Sequence, residues 1–180
     1  MALPAAAHEK SEARFEADLQ PVNQHAEGRA RLTLEGGRLE VRLKAKDLDG
    51  GVHVAHVHGV RQAQNECPEL AIHDTDGNGL VDIAEGLPAY GPVQLTLSNG
   101  LNDTGTRIEY RRNYNALDSG ELIAALGDLS QYAIVVHGVD LDGDGMATNP
   151  DADGDGADDA NPSSDNEISM PALCGTVEQH

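Results

Sequence analysis

Aromatic side chains are scarce in this chain, which has one Phe, four Tyr and no Trp among its 180 residues. A core built around large rings is therefore excluded, and the apolar interior has to come from Leu, Val, Ile and Ala. Branched side chains of this size suit the pleated surfaces of β-sheets. The length fits one domain, with enough chain to bury a core.

Positive charge is also scarce. The chain has 12 Lys and Arg against 31 Asp and Glu, a formal net charge of -19, and no Lys or Arg follows Arg112. This charge excludes a nucleic-acid binder held by phosphate neutralisation and argues against docking on an anionic membrane. No apolar run is long enough to span a bilayer. Cations are the natural partners of such a chain.

The N-terminal residues and the cysteines carry signs of an oxidising compartment. The first residues, MALPAAAHEK, are typical of the small-residue end of a cleaved secretory signal behind an added methionine, with mature sequence beginning near His8. The only cysteines are Cys67 and Cys174. They fit one disulfide, although two unrelated buried thiols would give the same count.

Alternating apolar and charged residues predict β-strands. In GRARLTLEGGRLEVRLKAK (28–46), two alternating segments flank Gly36 and Gly37, which predicts a β-hairpin with one buried face. Similar short segments predict strands at 13–19, 52–58, 92–98, 106–112, 131–137 and 171–177. Short strands at this spacing favour an all-β sandwich or barrel.

Three histidines fall within the segment HVAHVHG, 53–59. On a strand, His56 and His58 share one face at a spacing of about 6.6 Å, and His53 points to the other face. Two imidazoles on one face can share a metal ion, and imidazole suits copper and zinc. A pair of solvated strand histidines is the alternative if the pair stands alone.

Further histidines and cysteines follow in an ordered pattern. Cys67 lies nine residues after His58, His73 lies six residues after Cys67, YAIVVHG carries His137, and ALCGTV carries Cys174. In this order and spacing the sequence resembles the copper/zinc superoxide dismutase family, over about residues 13–178. The specificity of the resemblance lies in these histidines and cysteines, because the strands match only in pattern.

The resemblance implies a fold and a site. The implied fold is a Greek-key β-sandwich or barrel of about eight antiparallel strands with long metal-binding loops. His53 would be a structural histidine beneath the site, and Cys67 and Cys174 would form a disulfide. The copper ligands, which are also the catalytic residues, would be His56, His58, His73 and His137.

The chain departs from the family pattern at the zinc site and at the substrate channel. No histidine lies between His73 and His137, and Leu141 stands where the family has an aspartate that links the two metals. We therefore expect a copper-only site without zinc. Pro171 occupies the place of the arginine that guides superoxide. The arginines that remain as candidates for approaching the copper are Arg61, Arg107, Arg111 and Arg112.

The segment DTDGNGLVDIAE (74–85) replaces the zinc loop and matches the calcium loop of EF-hands. Gly79 stands at the sharp turn, and no flanking helix pair is evident, so we expect the loop alone. An acidic surface turn is the alternative. The expected calcium ligands are Asp74, Asp76, Asn78, Leu80 through its carbonyl, Asp82 and Glu85.

The acidic stretch 140–167 repeats a similar motif, with DLDGDG at 140–145 and DADGDG at 151–156. It resembles the aspartate-rich calcium repeats of thrombospondin type 3 and dockerin-like segments. Divalent ions would reverse the repulsion among its carboxylates, whereas a disordered acidic linker is the alternative. The expected ligands are Asp140, Asp142 and Asp144, closed by Asp151, for one ion, and Asp151, Asp153, Asp155 and Asp159 for another.

Two functions are compatible with this sequence. We expect residues 1–12 to be an N-terminal extension and 13–180 to be one dismutase-like domain, secreted, periplasmic or on the cell surface. The first hypothesis is a copper enzyme that dismutates superoxide to O2 and peroxide, with calcium-stabilised loops. The second is a calcium-stabilised copper-binding or adhesive extracellular module without efficient dismutation. A structural zinc ion in the histidine site is a further alternative.

Overall fold

The alternating segments form a four-stranded antiparallel meander. Leu39, Val41, Leu43 and Ala45 are all buried on β3, while the charged residues between them point outward. This confirms the predicted hairpin and its buried face. The order across this sheet is β1-β2-β3-β7, with β11 beside the start of β1. The strands are β1 (Glu12–Pro21), β2 (Glu27–Glu35), β3 (Arg38–Lys46), β7 (Arg107–Tyr114) and β11 (Glu178–Gln179).

A second set of strands continues the hydrogen-bonded path in the order β10-β8-β5-β6. The end of β1 joins the two sets, because Gln20 pairs with Cys174 after the earlier residues of β1 have paired with β2. All these pairings are antiparallel. The strands are β5 (Val54–His58), β6 (Val93–Thr96), β8 (Ala133–His137) and β10 (Pro171–Thr176).

The path curls on itself and encloses one apolar core. Strand β8 lies beside β5 and β5 beside β6, and the hydroxyl of Tyr114 at the end of β7 donates to the carbonyl oxygens of Thr96 and Leu97 at the end of β6. Strands β5 to β8 thus follow Greek-key order. The buried core is mainly Leu, Val, Ile and Ala from both sheets. The predicted all-β barrel or sandwich is confirmed.

Two short helices lie between β5 and β6. Helix α1 spans Leu70–His73 and helix α2 spans Ile83–Tyr90, so the loop 74–85 is flanked on both sides. The expectation of a loop without helices was wrong. Helix α2 begins with a capping box between Asp82 and Glu85, and this local signal outweighs the low helix propensity of Gly86 and Pro88.

A two-residue parallel pairing anchors the acidic stretch that follows β8. Strand β4 (Gly50–Gly51) pairs with β9 (Met146–Ala147). Gly51 has a φ of 83°, and a Cβ there would lie 2.3 Å from the carbonyl oxygen of Ala147. Glycine is therefore required for the two segments to approach this closely.

The structure is a computed structural model that describes residues 12–59, 63–98, 103–115, 128–148 and 167–180. None of the helices within these ranges has the length and apolar character needed to span a bilayer. Several predicted residues lie outside the described ranges: the N-terminal extension up to residue 11, Arg61, Asp151, Asp153, Asp155 and Asp159.

A disulfide joins Cys67 to Cys174, as the resemblance implies. Cys174 lies on β10, and Cys67 lies in the segment between β5 and α1. Beside the bond, Tyr90, Ala133 and Val135 form a small buried cluster on the face of the sheet turned away from the main core. The disulfide therefore fastens the segment that carries α1 and α2 over this face.

We expect the double variant Cys67→Ala/Cys174→Ala to lose about 4–5 kcal/mol of unfolding free energy. The cysteines are 107 positions apart, and opening so long a loop restores much entropy to the unfolded chain. Urea unfolding of the metal-free protein measures the loss, and wild type kept in reductant should behave like the variant. An unfolding midpoint shared by oxidised wild type and variant would contradict the expectation.

Candidate metal centre

Strand pairing brings three of the predicted histidines to one place. Ala55 and Val57 point into the main core, so His56 and His58 project from the opposite face of β5. In the pairing of β5 with β8, His137 lies opposite Val54 and therefore on the face of His56 and His58. The alternation of β5 and the register of β8 together build a cluster of His56, His58 and His137.

The three rings are close enough to share one ion. Their centroids are 5.2–5.6 Å apart, and one ring nitrogen of each lies within 4.8 Å of the nitrogens of the other two. His58 and His137 are 3% and 6% exposed, whereas His56 is half-buried. The cluster is therefore nearly closed and opens on the side of His56.

Backbone carbonyls fix the tautomers of two rings. Nδ1 of His58 lies 2.7 Å from the carbonyl oxygen of Gly91, and Nδ1 of His137 lies 2.7 Å from that of Ser169. A carbonyl oxygen can only accept a hydrogen bond, so each Nδ1 carries the proton and donates it. In the neutral rings both Nε2 atoms are then left with bare lone pairs.

These lone pairs face one another. The Nε2 atoms of His58 and His137 are 3.3 Å apart, and Nδ1 of His56 is buried without a hydrogen-bond partner among the described residues. Two nitrogens bound to one ion at about 2.0–2.1 Å with a roughly tetrahedral angle lie about 3.3–3.4 Å apart. The separation fits a shared metal ion, which would satisfy both Nε2 atoms.

The surroundings of the three rings disfavour their protonation. Burial lowers the pKa of His56, lowers the pKa of His58 to about 4, and holds the pKa of His137 well below its usual value. His56 also disfavours a proton on His58, and both rings disfavour one on His137. The rings thus stay neutral at physiological pH, which is the form that binds metal.

His53 lies beneath the cluster with a different role. It is fully buried, its Nδ1 lies 3.2 Å from the carbonyl oxygen of His137, and its Nε2 lies 2.9 Å from that of Asp49. The ring ties the end of β8 to the loop after β3. Gly138 makes room for it, because a Cβ there would lie 2.5 Å from Nδ1 of His53.

The structure does not bring His73 into the cluster. His73 ends α1, where the backbone N–H of Glu69 donates to its Nδ1 at 2.9 Å. A second contact, 3.1 Å from Nδ1 to the carbonyl oxygen of Glu69, would need the opposite tautomer. That oxygen already accepts the N–H groups of Ile72 and His73, so the hydrogen bond from the Glu69 N–H to Nδ1 is the one consistent with this arrangement. His73 as a fourth copper ligand stays a prediction.

The loop 74–85 gathers carboxylates around an open centre. Asp74, Asp76 and Glu85 place oxygens within 4.8 Å of one another and could hold a metal ion. Asp74 accepts the N–H groups of Gly77, Asn78 and Gly79. Hydrogen bonds, first from the Thr75 hydroxyl, lower the pKa of Glu85. Glu85 is thus favoured in its ionised form.

A second acidic group lies after β8. Asp140, Asp142 and Asp144 also place oxygens within 4.8 Å of one another. Asp140 accepts the N–H groups of Gly143 and Gly145. Sequence reasoning missed that Glu167 reaches this loop, where it accepts the N–H of Leu141 at 2.7 Å. No local signal marks this contact, because the two segments meet only through the fold.

The candidate guiding arginines that the structure describes are all on β7 and contact carboxylates. Arg107 lies 3.8 Å from Glu109, Arg112 lies 3.3 Å from Asp103, and Arg111 pairs with Glu40. Pro171, in the position of the family's arginine, pairs in register with His137. Among the described residues, none of these three arginines is left without an ion pair.

Comparison with models of known protein families finds no match. Comparison with curated proteins finds none either. The resemblance to copper/zinc superoxide dismutases thus rests on the spacing of the histidines and cysteines, and a function has to be argued from the geometry of the histidine cluster and the acidic loops.

We expect the metal-free protein to lose stability as the pH falls from about 6.5 toward 4. In this window the unfolded chain protonates its histidines while folded His58 stays neutral down to a pKa of about 4, so the unfolded state binds more protons. The contribution of His58 is about 3 kcal/mol. Urea unfolding across this window, compared between wild type and His58→Gln, measures it.

The matched control is His25→Gln, since His25 is exposed. The control should follow wild type, while His58→Gln should show a flatter dependence on pH. Parallel curves for wild type and His58→Gln would contradict this account of the cluster.

Proposed function

We propose that this protein is an extracytoplasmic, copper-only, superoxide dismutase-like enzyme with calcium-stabilised loops. The observation that carries the proposal is the convergence of His56, His58 and His137, two of which, His58 and His137, present unprotonated Nε2 atoms. The Cys67–Cys174 disulfide supports an oxidising location. In this proposal His73 supplies a fourth ligand, as the resemblance implies.

The donor set suits copper. Imidazole nitrogen is a ligand for both copper and zinc, and the affinity of such sites for divalent ions is highest for copper. Bound copper would supply one-electron chemistry, taking an electron from one superoxide and passing it to a second, which with two protons yields O2 and hydrogen peroxide. Copper is therefore the metal that makes this site an oxidoreductase.

The residues of the chain bind and orient. The carbonyls of Gly91 and Ser169 hold the rings of His58 and His137 through their Nδ1 protons, which keeps both Nε2 atoms aimed at one point. The ring of Tyr90 packs edge-on against His58 at a centroid distance of 4.8 Å and shields it from water. Half-buried His56 marks the side from which a small anion would enter.

Calcium is the ion we propose for the two acidic loops. Carboxylate and carbonyl oxygens on a glycine-containing loop suit a hard cation with six to eight ligands. Each loop has two glycines with positive φ, Gly77 and Gly79 in the first and Gly143 and Gly145 in the second. Bound calcium would also offset part of the formal net charge of -19 that repels superoxide.

A second function is favoured by the arginines. Arg107, Arg111 and Arg112 are ion-paired, and Pro171 replaces the guiding arginine. This arrangement supports a calcium-stabilised copper-binding or adhesive module without efficient dismutation. Superoxide consumption by the copper-loaded protein, measured with and without calcium, separates the two functions. A rate no higher than that of the copper-free protein under either condition would exclude dismutase activity.

We expect His56→Gln, His58→Gln and His137→Gln each to weaken copper binding by at least about a hundredfold, since each removes one of the converging nitrogens. Dismutation by the copper-loaded variants should fall to background. Competition with a chelator measures the affinity, and His25→Gln should bind copper like wild type.

His73→Gln separates a four-histidine site from a three-histidine site. With four ligands, the variant should bind copper more weakly and show an altered EPR spectrum. Copper affinity unchanged in all three cluster variants would contradict the proposed site as a whole, whereas an unchanged affinity in His73→Gln alone would remove only the fourth ligand.

A further inference from the structure

Glu167 is an acid buried beside the loop of the second acidic group. It begins the 3-10 turn Glu167–Ser169 that precedes β10, and it is 1% exposed. Among the residues the structure describes, no Lys, Arg or His forms an ion pair with it. A buried carboxylate needs polar or charged partners. The partners of Glu167 lie in the loop of the second acidic group.

The carboxylate of Glu167 is directed at the loop of the second acidic group. Its Oε1 accepts the N–H groups of Leu141 at 2.7 Å and Asp142 at 3.2 Å, and its Oε2 accepts the N–H of Thr148 at 2.7 Å. Counting Asp140 as loop position 1, these donors are positions 2, 3 and 9. Both oxygens thus face the loop, Oε1 toward its first residues and Oε2 toward position 9.

Glu85 makes the same contacts in the loop 74–85. Its Oε1 accepts the N–H groups of Thr75 at 2.6 Å and Asp76 at 3.3 Å, and its Oε2 accepts the N–H of Asp82 at 3.1 Å. With Asp74 as position 1, these are again positions 2, 3 and 9. Glu85 itself is position 12, which in calcium loops of this kind supplies both oxygens to the ion.

We propose that Glu167 is the closing, two-oxygen ligand of a second divalent-cation site, completed by Asp140, Asp142 and Asp144. The ion provides a counter-charge for the buried carboxylate. The closing ligand stands 27 positions after the first one, whereas Glu85 stands 11 positions after Asp74. Glu167 takes the role that the sequence pattern assigned to Asp151.

The same turn holds a histidine of the metal centre. Ser169, two residues after Glu167, accepts the Nδ1 proton of His137 at 2.7 Å. The backbone N–H of Val139 donates to the carbonyl oxygen of Glu167 at 3.0 Å, and that of Gly138 donates to Met170 at 2.9 Å. An ion bound by Glu167 therefore fixes the turn whose carbonyl orients His137.

The first acidic loop holds the other oriented ring in a parallel way. Glu85 lies in the first turn of α2, and the residue that follows α2 as its C-cap is Gly91, whose carbonyl accepts the Nδ1 proton of His58. A short segment thus joins each closing glutamate to the backbone carbonyl that fixes the tautomer of His58 or His137. This coupling rests on the proposed copper site, whereas the cation site at Glu167 extends only the calcium part of the proposed function.

The first test counts calcium ions on the copper-free, disulfide-bonded chain. Equilibrium dialysis against Ca²⁺ followed by elemental analysis should show one ion fewer per chain for Glu167→Gln than for wild type. Asp140→Asn should lose the same ion, so Asp140→Asn/Glu167→Gln should lose no further ion. Glu178→Gln, an exposed acid on β11, is the matched control and should keep every ion.

A wild-type number of ions in Glu167→Gln would overturn the site. So would a double variant that loses one ion more than Asp140→Asn, because the two residues would then serve different ions. Glu167→Asp covers the case in which the glutamine variant does not fold, since it keeps the charge and shortens the arm. It should weaken binding of one ion by at least about tenfold, and unchanged calcium affinities would count against the proposal.

The second test measures copper affinity by chelator competition with and without Ca²⁺. Calcium should raise the Cu(II) affinity of wild type, and by reciprocity copper should raise calcium affinity by the same factor. Glu167→Gln should lose part of this increase, and Glu178→Gln none. Copper affinity that is indifferent to calcium would overturn the coupling. A chain that binds calcium as expected but no copper would instead overturn the proposed function and leave the site at Glu167 standing.

Discussion

The metal centre depends on two imidazole nitrogens that face each other at 3.3 Å with no proton between them. The antiparallel pairing of β5 and β8 sets their separation. The carbonyls of Gly91 and Ser169 hold the ring protons on Nδ1, so each Nε2 carries no proton. Burial opposes protonation of the rings. A metal cation could satisfy both nitrogens, and the proposed copper chemistry rests on these neutral nitrogen donors.

The two acidic loops are connected through the chain to the segments whose carbonyls, those of Gly91 and Ser169, orient His58 and His137. Each lies next in the chain to a histidine, since Asp74 follows His73 and Asp140 lies three positions after His137. The disulfide and the pairing of β4 with β9 fasten the two loop regions to the barrel. In this account, ions bound by the loops stiffen the segments that orient the histidines. Part of the strongly negative charge of the chain then serves to bind these ions.

Sequence patterns predicted the strands, the buried face of β3, the disulfide and the three clustered histidines, because alternation and ordered spacing report local structure and a resemblance. They failed where the deciding contact is distant or competes with propensity. Helix α2 forms despite Gly86 and Pro88 through its capping box. The contact between Glu167 and Leu141 has no local signature, since only the folded barrel brings those segments together.

The most direct test is a crystal structure of the copper-loaded protein with anomalous difference maps recorded on both sides of the copper and zinc absorption edges. The account predicts one copper peak at bonding distance from Nε2 of His58, Nε2 of His137 and a ring nitrogen of His56. A zinc peak at that point would contradict the copper assignment. Three rings with no metal between them, in crystals that hold copper elsewhere, would contradict the central claim.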